Sequence, residues 1–130
     1  MASTNIQRVH ASAPTDNKKC TISVWVKRGV LNGSNSSSGI YGGINAAWNA
    51  AGNVQIGFMN DKAYCWFKTA SGDRKKQEST RVFRDTNAWY HFVYRIDTTQ
   101  STASDRIRVY CNNEELTSWG STADPTLNED

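Results

Sequence analysis

The segment Asp85–Leu116 constrains the fold more than any other part of the chain, because it reads as strand, polar loop, strand, tight turn and strand. Its first strand, Trp89–Ile96, carries apolar and aromatic side chains on both faces, which is typical of a buried sheet strand. The next strand, Arg106–Cys111, alternates apolar and polar residues and therefore turns one face to a core. Asn112-Asn113 then supplies the two positive-φ residues of a two-residue hairpin turn. The segment predicts antiparallel β structure.

The rest of the chain repeats short strands between polar connectors. The other predicted strands are Asn5–Ala11, Cys20–Lys27, Ile40–Ile44, Val54–Met59, Ala63–Lys68 and Glu78–Phe83, with a hairpin turn at Asn60-Asp61. No convincing amphipathic helix interrupts them. Regularly spaced short strands with few helices indicate a β-sandwich or barrel. With 130 residues, the chain is predicted to form one domain over residues 1–130, in which 117–130 reads as an irregular tail.

Charge and hydropathy exclude several classes of partner. The net charge is +3 and the pI is about 8.8, without the dense basic stripe of nucleic-acid-binding domains. No apolar run approaches the roughly 20 residues that cross a membrane, and the N-terminus lacks the apolar core of a secretory signal. We therefore expect no nucleic acid and no membrane partner. The three cysteines lack metal-ligand spacing and are predicted to be free thiols, with a single disulfide as the alternative.

The predicted core takes the apolar and aromatic positions of the clearest strands. Its members are Cys20, Ile22, Val24, Trp25, Trp89, Phe92, Tyr94, Ile96 and Val109. His91 lies between Tyr90 and Phe92 in the same pattern. It is predicted to be a structural histidine inside a core strand, not a catalytic base.

The sequence contains few residues that could form a catalytic site. Glu114 and Glu115 are adjacent and point to opposite faces of a strand, so they do not form the carboxylate pair of a glycosidase. Asp97 and Asp105, at the two ends of one loop, are the single weak candidate for a calcium site, and loop capping is the preferred explanation for both. We expect no catalytic residues, no cofactor and no enzyme activity.

Two groups of residues are candidates for ligand binding. For Trp48 the preferred explanation is that it folds back and plugs the core; the alternative is that it stacks on a sugar ring while Asn45 and Asn49 hydrogen-bond the hydroxyls. Arg74, Lys75 and Lys76 form the densest basic cluster. A solvated loop is the preferred explanation for this cluster, and contact with an acidic partner or polysaccharide is the alternative.

Three stretches together resemble a known family. They are Cys20–Gly29 (CTISVWVKRG), Asp85–Ile96 (DTNAWYHFVYRI) and Asp97–Leu116 (DTTQSTASDRIRVYCNNEEL). They are similar to the concanavalin A-like jelly roll, and more closely to its laminin G-like branch found in virion proteins of marine tailed phages. The resemblance implies an all-β fold, an antiparallel two-sheet β-sandwich.

The chain departs from that family at two points. Cys111-Asn112-Asn113 stands where the family usually has Val-Asn-Gly, which still suits a hairpin turn. Family domains also generally continue past the position of Asp130 with strands that complete both sheets. The resemblance therefore implies that late strands are missing, and two alternatives follow: Thr117–Asp130 fills the gap poorly, or the sandwich is completed by a partner strand from an oligomer or another chain.

The resemblance also implies a function. We expect a non-enzymatic structural, decoration or attachment module of a phage particle that acts through protein–protein contacts. Its partners would be other virion chains, and it would fold in the host cytoplasm before assembly into the virion. The alternative is a lectin-like adhesion module that binds host or environmental glycans.

Overall fold

A computed structural model of the chain describes residues 15–31, 36–43, 54–68 and 74–129. The predicted strand Asn5–Ala11 and the candidate ligand residues Trp48, Asn45 and Asn49 lie outside the described residues. The strands, in chain order, are β1 Lys19–Lys27, β2 Ser37–Gly43, β3 Val54–Met59, β4 Lys62–Lys68, β5 Arg74–Val82, β6 Trp89–Asp97, β7 Ile107–Cys111, β8 Glu114–Glu115 and β9 Trp119–Ala123.

The strands form two antiparallel sheets, as predicted for a β-sandwich. The first sheet has the order β1-β6-β7-β8 and the second has the order β2-β3-β4-β5-β9. A 3-10 turn, Ala103–Asp105, lies in the loop between β6 and β7. No helix among the described residues has the length and apolar character to span a membrane.

The core lies between the two sheets and is rich in aromatic residues. Its fully buried members come from β3, β4, β6 and β7 and from Phe83 and Leu116, which follow strand ends. Phe92 is fully buried, and its ring centroid lies 5.6 Å from that of Phe58 and 5.1 Å from that of Phe83. Because Phe58 belongs to the second sheet and Phe92 to the first, these rings join the two layers.

Both predicted hairpin turns have the expected backbone geometry. Asn60 and Asp61 have φ values of 52° and 63°, and Asn112 and Asn113 have 51° and 68°. Two consecutive positive φ values define the turn whose twist matches that of the flanking strands. Asparagine and aspartate tolerate this left-handed region better than other non-glycine residues, because their short polar side chains hydrogen-bond locally.

Two segments were predicted to be irregular and instead form strands. The structure places Arg74, Lys75 and Lys76 at the start of β5, so the prediction of a solvated loop is wrong; the backbone pairs there with Trp66, Phe67 and Lys68 of β4. Within the predicted tail 117–130, β9 pairs with β5. A polar sequence does not predict such strands, because backbone hydrogen bonds to neighbouring strands stabilise them and side-chain propensity does not.

The remainder of the predicted tail is fixed by side chains of the β6–β7 loop. The Arg106 guanidinium donates to the carbonyl of Pro125 at 2.8 Å, and the Thr98 hydroxyl donates to the carbonyl of Glu129 at 2.7 Å. Residues 117–130 of this chain therefore supply β9, an edge strand of the second sheet. Completion of the other sheet edges by a second chain stays a prediction.

The predicted core is wrong for three of its nine residues. Phe92, Tyr94, Ile96 and Val109 are buried, and Ile22 and Val24 are partly buried against the core. Trp25 and Trp89 are instead 63% and 57% exposed, because each alternates with the buried positions of its strand and points away from the second sheet.

Cys20 is the third residue wrongly placed in the core. It shares a face with Ile22 and Val24, but it is exposed because it lies at the beginning of an outer strand. Cys65 and Cys111 are buried, and all three cysteines are free thiols, as predicted. Burial raises the pKa of the Cys65 thiol to about 12, so this thiol remains protonated and unreactive at neutral pH.

A buried ion pair ties the end of β1 to the second sheet. Arg28, immediately after β1, lies 3.0 Å from the carboxylate of Asp61 in the β3–β4 turn. Its guanidinium also lies over the Phe58 ring, 4.4 Å from the centroid, and donates to the Phe83 carbonyl. The same Asp61 accepts a bond of 3.0 Å from Arg84. One charged centre thus fixes four chain segments at this end of the sandwich.

Candidate binding site

The outer face of the first sheet carries an unusual concentration of aromatic side chains. In the register of β1 and β6, Trp25 is opposite His91 and Lys27 is opposite Trp89. Residues directly opposite each other in an antiparallel pair share a face. Val24 and Phe92 point into the core. Because successive side chains of a strand point to opposite faces, their neighbours Trp25 and His91 point outward.

We call Trp25, Trp89 and His91 the outer-face aromatic cluster. The Trp25 and His91 rings are stacked, with centroids 4.8 Å apart and planes inclined by 18°. Both indoles are more than half exposed. Exposed aromatic residues concentrated on one face make that face a candidate contact surface.

Hydrogen bonds hold His91 in place within the cluster. Its Nε2 is 2.9 Å from the Ser23 hydroxyl. Its backbone N–H donates to Asn112 Oδ1 at 2.8 Å, and its carbonyl accepts from the Asn112 N–H at 2.9 Å. His91 therefore lies in a core strand and is hydrogen-bonded, as predicted for a structural histidine, but its side chain is on the outer face and is only partly buried. The β7–β8 turn is locked beside the cluster by the same bonds.

The cluster and the turn enclose a shallow, open depression. Its volume is about 360 Å³, and its lining residues are Trp25, Trp89, His91, Asn112 and Asn113. The walls offer two aromatic faces and two side-chain amides, and no carboxylate is among them. Such a lining suits a ligand that has apolar ring faces and hydroxyl groups. Aromatic rings stack on apolar faces, and side-chain amides hydrogen-bond to hydroxyls.

A neighbouring depression of about 430 Å³ lies beyond the end of β1. The segments Val26–Leu31 and Ser36–Ile40 line it together with Phe58. Its buried charged group, Arg28, is already engaged by Asp61 and by two carbonyls. The depression has a single aromatic residue in its lining, Phe58, whereas the outer-face cluster offers three aromatic rings.

The two aspartates considered for calcium are engaged by donors of the chain itself. Asp97 accepts four hydrogen bonds, from Arg95, Gln100 and both the backbone and the hydroxyl of Thr99. The hydrogen bond from the Thr99 hydroxyl, followed by that from Gln100, lowers the pKa of Asp97 to about 2. These contacts make Asp97 a loop-capping residue.

Asp105 is engaged in a different way. Its carboxylate lies 2.8 Å from Arg108, which also contacts Glu115 at 3.1 Å. Across the described part of the chain, no three or more His, Cys, Asp or Glu side chains converge as a metal site would require.

The pKa of Asp97 predicts a specific acid sensitivity. Because the folded-state pKa of about 2 is below the ordinary value of 3.8, the stabilisation is fully present above about pH 4 and is lost as the pH falls towards about 2. We expect Asp97→Asn to remove this part of the pH dependence. Urea midpoints measured across that range test it. Thr99→Val removes the hydroxyl bond that lowers the pKa of Asp97 most, so the loss of stability should occur at a higher pH. An unchanged profile in Asp97→Asn would contradict the assignment.

The basic residues predicted as ligand candidates lie on the other sheet. Lys76 Nζ is 3.6 Å from Glu78 Oε2, and Arg74 and Lys75 belong to the same strand, β5. The structure therefore does not bring them to the outer-face aromatic cluster. The sequence contained one signal for the cluster: Trp25 alternates with the polar Ser23 and Lys27, which indicates an outward position.

Comparison with known proteins gives one match. A laminin G family model, described as the concanavalin A-like lectin/glucanases superfamily, matches residues 2–130. No curated protein matches the chain, and no solved structure does. The matched range includes both sheets and every residue of the depression.

Proposed function

Because this chain belongs to the concanavalin A-like lectin/glucanase superfamily, we propose that it is a non-enzymatic, lectin-like module that holds a glycan on the outer-face aromatic cluster. The family match supports a lectin-like binding module in general terms. The exposure of Trp25 and Trp89 on one face, beside the fixed His91, is the observation that supports this particular site.

The aromatic faces would supply most of the binding free energy. An indole covers a large apolar area, and the C–H face of a sugar ring loses water when it stacks on one. The two tryptophans lie diagonally across the β1–β6 pair, since Trp25 is opposite His91 and Trp89 is opposite Lys27. Side chains held on strands keep their geometry before the ligand arrives, which lowers the entropic cost of binding.

Amide groups would supply the orientation of the ligand. Asn112 and Asn113 form the turn that closes one side of the depression, with both residues in the left-handed region. Asn112 Oδ1 accepts a hydrogen bond from the His91 N–H, so the side chain is held at the depression, and its NH₂ group would be the donor to the ligand. Amide donors and acceptors match the alternating hydroxyls of a carbohydrate.

The same surface supports a binding role over hydrolysis. Glycoside hydrolysis requires two carboxyl groups that flank the scissile bond. The depression has none in its lining, and of the nearest acidic residues on β8, Glu115 contacts Arg108 and Glu114 contacts Arg81. We propose that the chain binds glycan without cleaving it.

Single tryptophan variants test the site. We expect Trp25→Ala and Trp89→Ala each to weaken glycan binding by about tenfold or more, since truncated aromatic anchors at a contact surface cost this much. The matched control is Tyr41→Ala, which removes an exposed aromatic ring from β2 of the other sheet. A glycan array identifies the ligand, and calorimetric titration gives the affinities.

The free energy of unfolding of each tryptophan variant shows whether weaker binding reflects a lost contact or a lost fold. Because both tryptophans are largely exposed, their removal should change the free energy of unfolding by only about 0.5 kcal/mol. Unchanged affinity in both variants would remove the cluster as the site. Failure of the wild-type chain to bind any glycan would overturn the proposed function.

A second proposal is that the module belongs to a phage particle. The motifs that resemble virion proteins, WVKRG and AWYH, contain Trp25 and Trp89, which meet on one exposed surface. An exposed tryptophan pair is also a suitable anchor for another protein chain. In this proposal the chain folds in the host cytoplasm and then joins other virion chains.

Native mass spectrometry of the purified chain, and peptide mass spectrometry of purified particles, test the virion proposal. A defined oligomer together with detection in particles would support it. A monomer that is missing from particles would contradict it, and the glycan-binding proposal would be unaffected.

A further inference from the structure

We infer that the site selects acidic glycans, with Lys27 receiving the carboxylate or sulfate group of a sugar stacked on Trp89. This inference rests on the proposed function and adds the chemical class of the ligand. It follows from the position of Lys27 and from how charge is distributed over the outer face of the first sheet.

Lys27 is placed directly beside the aromatic cluster. It is the last residue of β1 and the register partner of Trp89, two positions after Trp25. Residues paired in this way have Cβ atoms about 5 Å apart on the same face. Lys27 is exposed and also lines the neighbouring depression beyond the end of β1, and the four-carbon arm of a lysine is long enough to bring its ammonium to the paired Trp89 ring. A ring stacked on Trp89 therefore has its exocyclic substituents within reach of a cation.

The ion pairs on the outer face of the first sheet do not include Lys27. Arg95 is bonded to Asp97 at 3.0 Å, and Arg108 is bonded to both Asp105 and Glu115. Lys27 has no carboxylate partner among the residues that the structure describes.

The lysine at the other end of β1 provides a contrast. Lys19 lies 3.6 Å from Asp16. Lys27 is thus a cation whose charge is not compensated by the described surroundings, and it lies where a ligand would contact it.

The charge of the whole chain acts in the same direction. The net charge of +3 favours the approach of an anion. Only groups near the cluster discriminate between ligands, however, because exposed charges separated by more than about 10 Å are screened at physiological salt. Selectivity for an acidic sugar is therefore expected to depend on Lys27.

Matched charged and neutral oligosaccharides test the inference. The probes are oligogalacturonate and alginate oligomers with their methyl esters, and a heparan-type sulfated oligosaccharide with its desulfated form. We expect at least one charged probe to bind the wild-type chain about tenfold more tightly than its neutral counterpart, as a charge-assisted hydrogen bond would provide. This preference should weaken as sodium chloride is raised.

Two lysine variants of β1 identify the residue responsible. Lys27→Gln should abolish the preference for the charged probe and leave the affinity for the neutral one unchanged. Lys19→Gln, at the opposite end of the same strand, should keep the preference. Circular dichroism confirms that both variants are folded.

The outcomes distinguish this inference from the proposed function. Equal binding of charged and neutral probes by the wild-type chain would overturn the inference and leave glycan binding intact. A preference that persists in Lys27→Gln would overturn the role of Lys27. Failure of every probe, charged and neutral, to bind would overturn both the inference and the proposed function.

Discussion

Asp61→Asn is expected to lower the free energy of unfolding by about 3–5 kcal/mol, because it removes one charge of a buried ion pair. The side chains of Arg28 and Asp61 are both almost completely buried, with 3.0 Å between Arg28 Nη1 and Asp61 Oδ1. A guanidinium cannot lose its proton to escape this environment. Asparagine is the appropriate replacement, since Asp61 has a φ of 63° and asparagine tolerates that conformation.

The control for this experiment uses the same carboxylate. Arg84 also contacts Asp61 at 3.0 Å, but its side chain is largely exposed. An exposed ion pair contributes about 0.2–1 kcal/mol, so Arg84→Ala should have a small effect. Chemical denaturation of both variants measures the difference. Equal losses in Asp61→Asn and Arg84→Ala would show that the Arg28 contact carries no special stability.

Phe92→Ala is expected to destabilise the fold by about 3–5 kcal/mol, the range for truncating a buried aromatic residue in a packed core. Phe92 is fully buried at the centre of β6 and contacts aromatic rings from both sheets. Removing its ring takes away contacts that hold the sheets together and leaves a cavity that Phe58 and Phe83 border.

Val93→Ala is the matched control, because Val93 is the next residue of the same strand and points to the outer face, where it is partly exposed. We expect it to cost about 1 kcal/mol or less, in keeping with the small buried area that is lost. The two variants are compared by urea denaturation. Similar losses for both residues would mean that the outer face, too, is covered by a packed layer.

The cluster itself was only partly predictable. Trp25 and Trp89 were assigned to the core because their residue type favours burial. Their outward direction followed from strand alternation, which places each next to polar neighbours such as Ser23 and Lys27. For large aromatic residues these two rules conflict. Only the arrangement of the sheets shows which rule holds at each position.

The basic residues of β5 and the strand β9 show a different limit. Lys76 pairs with Trp66 on one side and with Ala123 on the other. No local pattern in the polar segments around these residues indicates strand formation. Their structure comes from hydrogen bonds to strands distant in the sequence, which a local pattern cannot reveal.

The sequence by itself determined the all-β class, the central strands and both hairpin turns. Each of these depends on neighbouring residues: the alternation within Arg106–Cys111, or the asparagine pair that accepts positive φ at 112 and 113. Tertiary structure alone decided that Trp25 and Trp89 are exposed on the outer face of the first sheet and that β9 joins the second sheet. Burial and sheet order depend on which strands pack together, and those contacts join residues far apart in the chain.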